Sequence, residues 1–124
     1  MQKIIDLLER KSLCYRSFYK ICDEFLDQIS RGDTAKLEQF QKRRQSLLNV
    51  LEQLEFEITH QMEALKETHG ALESLMTPEI RTKIQLLFSE KDSILRSIMD
   101  LDAQIIRCIE KLKDDTLQKL QSIH

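Results

Sequence analysis

From Met1 onward, every seventh residue of the first thirty is apolar: Met1, Leu8, Tyr15, Cys22 and Ile29. Ile4, Phe18 and Phe25 interleave at the fourth position of the repeat, Ile5, Tyr19 and Leu26 widen the stripe, and Lys11 interrupts it. A seven-residue apolar repeat keeps its members on one side of a helix, whereas a strand would need alternation. The rest of the chain offers little material for loops, with two Gly and one Pro in 124 residues. Few, long helices are what such a composition permits, and a chain of this length suits one domain with its own core.

The repeat continues in two further segments. Leu37, Leu51, Ile58, Leu65 and Leu72 hold its first position in the second, with Arg44 as the exception, and Phe40, Leu47, Leu54 and Leu75 hold the fourth. In the third, Ile84, Ile98, Ile105 and Leu112 alternate with Leu87, Ile94, Leu101 and Cys108. Thr77 can cap the third helix, and Pro78 suits its first turn, where a missing N–H costs nothing. The expected fold is all-α: an antiparallel three-helix bundle of amphipathic helices at about 2–31, 33–76 and 78–123, in a single domain spanning 1–124.

Helix lengths make a further prediction. The first helix spans about 45 Å and the other two roughly 65 Å each, at ~1.5 Å per residue. The hairpin between about Leu65 and Phe88 then projects past the start of helix one and leaves an apolar strip uncovered, unless it bends or breaks near Gly70. Such a strip marks a partner or homodimer surface. Its candidate binding residues are Leu65, Leu72, Leu75, Met76, Ile80, Ile84 and Phe88.

Chemistry is harder to find. Glu57 and His60 have the spacing of a di-iron bundle ligand pair, but one copy stands alone and the repeat puts His60 on the outer face. Neither a Gly-rich phosphate loop nor a nucleophile elbow nor a His-Glu-x-x-His zinc motif occurs. The chain is therefore read as a non-enzyme with no cofactor and no metal. A formal charge of −2 makes no demand for nucleic acid, and the run Lys42-Arg43-Arg44 has Glu38 and Glu52 nearby on the same helix. Arg44 falls at a core position, where it must snorkel or find a carboxylate. Three cysteines without Cys-x-x-Cys spacing suit small core residues in a reducing compartment, and the absence of a signal-like or membrane-spanning stretch places the chain in the cytosol.

Arg31-Gly32-Asp33 spells the tripeptide of cell-adhesion ligands, but in this context it reads as a corner. Gly32 suits the left-handed residue that ends one helix, and Asp33 the cap that opens the next.

The same corner begins a resemblance. "RGDTAKLEQFQKRRQSLLNVLEQLE" is similar to the start of helix two in FliT-type flagellar export chaperones and the related FlgN type: Gly32-Asp33, Leu37, a basic residue at Arg43 or Arg44, then Leu47-Leu48. Asp100-Leu101-Asp102 followed by Ile105-Ile106 resembles the family's third helix. The resemblance implies a cytosolic chaperone for type III export. Its client would be an unassembled flagellar subunit, the filament-cap protein or a hook-junction protein, delivered to the export apparatus. The contact would be a client helix laid on an apolar groove. Two other readings remain open: a structural coiled coil that uses the stripe to oligomerise, and a regulator that sequesters its target by helix pairing.

Overall fold

The computed structural model describes residues 1–123, as three long helices: α1 (Gln2–Ser30), α2 (Leu37–His69) and α3 (Pro78–Ile123). A short 3-10 turn, Leu72–Leu75, lies between the last two. α2 runs antiparallel to α1, pairing Phe25 with Phe40 at one end and Lys11 with Glu55 towards the other. α3 returns parallel to α1, as the Glu9–Lys83 and Arg16–Glu90 ion pairs show. The all-α bundle expected from the repeat is the fold.

The three helices do not share the core equally. Ten residues of α1 are buried, against four of α2 and three of α3. Among the described residues, no Cα of α2 comes within 8 Å of one in α3, although both helices approach α1 that closely. α1 is thus a spine with a helix on either side. The larger apolar cluster joins Phe18, Cys22, Phe25 and Ile29 to Phe40 and Leu51 of α2 and to Ile98, Leu101 and Ile105 of α3. Phe25 and Phe40 stack with ring centroids 4.2 Å apart. A smaller cluster at the other end holds Leu7, Leu54 and Ile58.

The corner after α1 is built as expected on one side and differently on the other. Gly32 has φ +79°, its N–H donates to the Ile29 carbonyl, and the Asp33 N–H reaches back to Gln28. That pair of bonds is the Schellman ending, which satisfies two carbonyls of the last helical turn. Asp33 does not cap α2. Its Oδ1 instead accepts the N–H of Ala35, two residues on, closing a local turn that delays the helix to Leu37.

The second helix also ends earlier than the repeat suggests, at His69 rather than near residue 76. Gly70 adopts φ +78° and ψ −130°, a conformation outside the helix and open mainly to glycine. Ala71 is extended and Leu72–Leu75 form the 3-10 turn. After an extended Met76, Thr77 Oγ1 accepts the Ile80 N–H and starts α3, the cap read from the sequence. The break removes the projecting straight hairpin: the chain turns back, and Leu72 is buried, 8% exposed.

Candidate partner-binding site

The break at Gly70 determines where the apolar residues around it go. α2 brings Ile58 and Met62 to the start of α1, the connector lays Leu72 and Met76 beside them, and α3 supplies Ile84 and Phe88. With Met1, Ile4 and Leu8 of the N-terminal segment they enclose a pocket of about 90 Å³ lined only by apolar side chains. A space of that size matches one large aliphatic or aromatic side chain, far below the ~300 Å³ or more of a site for a drug-sized ligand.

Of the seven residues named from the sequence, the pocket gathers Leu72, Met76, Ile84 and Phe88. Phe88 is 46% exposed, Leu72 is buried, and Met76 and Ile84 lie between. Leu65, Leu75 and Ile80 are half-buried and do not line the pocket. Five lining residues, Met1, Ile4, Leu8, Ile58 and Met62, were absent from that set. Their heptad positions mark them as apolar-face residues, but a heptad carries no register between helices.

Beyond the pocket, charge ties α2 to α1 and, further along, to α3. Lys11 of α1, itself buried, sends its ammonium 3.0 Å from Glu55 Oε1, whose side chain is 69% exposed. Further along, Arg44 Nη2 lies 3.0 Å from Asp102 Oδ2, and its guanidinium is 5.5 Å from the Phe18 ring centroid. Arg44 thus finds the carboxylate that its core position requires, across the gap between the two helices. Beneath this bridge, the Cys22 thiol sits 3.8 Å from Asp102 Oδ1. Burial, reinforced by that carboxylate, pushes the thiol up to about 12, while Arg44 pulls weakly the other way. Burial alone raises Cys14. All three cysteines are free thiols.

Other apolar side chains stand in solvent: Phe56, stacked on His60 of the same outer face, Met99 and Ile106 on α3, and Leu117, Leu120 and Ile123 on its last turns. α3 overruns the α1–α2 corner here. Leu117 still borders Thr34 and Leu37, and the helix continues to Ile123. Glu57 and His60 meet no second ligand pair, and no cluster of three or more His, Cys, Asp or Glu suited to a metal occurs among the described residues. No helix is long and apolar enough to cross a membrane.

No family model matches this chain, and neither a curated protein nor a solved structure shows significant similarity to it. The site therefore rests on its own geometry.

Proposed function

We propose that the chain is a helix-binding chaperone of the flagellar type III export class, acting in the cytosol without enzymatic chemistry. It would hold an apolar helix of an unassembled subunit, the filament-cap protein first among the candidates, until the export apparatus receives it. The observation that carries this reading is the apolar pocket between α1, α2, the connector and α3, sized for one anchoring side chain and edged by the half-exposed Phe88. A single buried anchor with a surrounding apolar surface is how helix recognition concentrates its binding energy. A client helix bearing a Leu or Phe would place that side chain in the pocket. The sequence resemblance at Gly32–Leu48 and Asp100–Ile106 supplies the flagellar part of the proposal.

Co-purification with the filament-cap protein tests it. Phe88→Asp should weaken the complex at least tenfold while leaving the helical signal intact, because Phe88 is already half in water. If deleting the client's terminal apolar helix left binding unchanged, helix-in-groove recognition would be wrong.

The exposed Leu117, Leu120 and Ile123 support a second reading, a structural coiled coil that self-associates through α3. Light scattering separates the two. A dimer that persists on dilution and is lost in Leu120→Asp favours the structural role. A monomer, or a weak dimer that client displaces, favours the chaperone.

A further inference from the structure

Three of the chain's four methionines, Met1, Met62 and Met76, converge on the apolar pocket from three segments distant in sequence; the fourth, Met99, lies elsewhere on α3. Met62 and Met76 are neither buried nor fully exposed, so a small oxidant can reach them while they still form the wall. We infer that Met62 and Met76 are oxidation sites, and that peroxide closes this pocket to an apolar anchor. The inference rests on the pocket being the docking site proposed above.

The chemistry balances without any group from the protein beyond the thioether. A sulfur lone pair attacks one oxygen of hydrogen peroxide, the O–O bond breaks, and an S–O bond forms. Sulfur gives up two electrons, and the other oxygen takes the proton of the transferred one and leaves as water. A methionine sulfoxide reductase with a dithiol reverses the step, releasing the oxygen as water while the dithiol becomes a disulfide. The product is a strong hydrogen-bond acceptor on what had been an apolar wall. All nine lining residues are apolar, so no lining side chain can donate to the new oxygen. An unsatisfied acceptor is costly to bury, so the sulfoxide must turn into the mouth or keep water in the pocket. Either outcome removes the dry space in which a Leu or Phe anchor would sit. Leucine has nearly the volume of methionine and cannot be oxidised in this way, which makes it the control substitution.

Benzene is the probe, since it is the ring of a Phe anchor and apolar cavities take it up. The ¹³C-labelled methionine methyl groups report each position separately. In the reduced protein, benzene should shift the Met62 and Met76 signals and leave that of Met99 unmoved. After peroxide, with both sulfoxides verified by mass and helicity unchanged, benzene affinity should fall at least tenfold and return on reductase treatment. The Met62→Leu/Met76→Leu variant, in which only Met1 of the lining can still be oxidised, should lose less benzene affinity on peroxide treatment than the wild type, followed through the Met1 signal. Wild-type binding that survives oxidation overturns the switch and leaves the docking proposal standing. A double variant that loses as much binding as the wild type, or oxidised protein that loses its helices, also overturns it. If benzene never shifts Met62 or Met76, the pocket itself fails as an anchor site, and the docking proposal fails with it.

Discussion

The two ends of the bundle treat apolar surface in opposite ways. At the corner end, α1 stops at Ser30 on a tight Schellman turn and α3 runs on past it, leaving Leu120 and Ile123 in solvent. At the hairpin end, α2 breaks at Gly70 and the connector folds back, covering Leu72 and drawing Met76 to the start of α1. Both ends carry the same apolar repeat. What differs is the connection: a backbone turn of a few residues decides whether a stripe is exposed or closed into a pocket.

Core packing should differ most. Phe25 is 2% exposed and stacks on Phe40 inside the larger cluster, so Phe25→Ala should cost about 3–5 kcal/mol. Leu72 is also buried, but it borders the pocket, where neighbours such as Met62 and Met76 can shift into the space. Leu72→Ala should cost about 2 kcal/mol, at the low end for such truncations. Urea unfolding with unchanged m-values measures both. Equal losses would mean that the hairpin end is packed as tightly as the corner end, against the contrast drawn here.

The glycines come next. Neither an alanine Cβ at Gly32 nor one at Gly70 would meet an atom within 4 Å, so any cost is in the backbone alone. Gly32 ends its helix in the left-handed turn, a conformation other residues enter at about 1 kcal/mol. Gly70 combines φ +78° with ψ −130°, which side chains tolerate worse, at roughly 2–3 kcal/mol. Gly70→Ala should therefore lower the melting temperature more than Gly32→Ala does. The reverse order would put the critical turn at the corner.

The same two turns mark what could be read in the sequence. α1 and α3 were legible to within a residue, since single polar intrusions such as Lys11 leave the repeat readable and Thr77-Pro78 is strong start chemistry. α2 was not, at either end. Asp33 looks like a cap, but its carboxylate is held by the N–H of Ala35 in a turn of its own. Leu72, Leu75 and Met76 sit at i, i+3 and i+4, the spacing of a helical stripe, although they lie in a 3-10 turn and an extended residue. Periodicity cannot distinguish the two, and only the backbone at Gly70 does. For the site, apolar character was legible and convergence was not. Met76 and Phe88 could be named, whereas their meeting with Met1 and Leu8 depends on how far the chain turns back.

An effect confined to alkaline pH is expected under the ionic bridge, nearer the corner end. Cys22 is fully buried beside Asp102, and its thiol is raised from 9.0 to about 12. A raised acid stays protonated in the fold while the unfolded chain has already lost its proton. The contribution is therefore fully present below about pH 9 and is lost as pH rises from there towards 12. The melting temperature should decline across that window more steeply in the wild type than in Cys22→Ala, whatever the two values are at pH 7. At pH 8 the native thiol should also react with alkylating reagents roughly a thousandfold more slowly than in urea, because only the thiolate attacks. Parallel melting curves for the two proteins above pH 9, together with rapid alkylation in the fold, would mean that water reaches Cys22 beneath Arg44 and Asp102. The corner end would then be the looser half of the bundle, and the contrast between the ends would reverse.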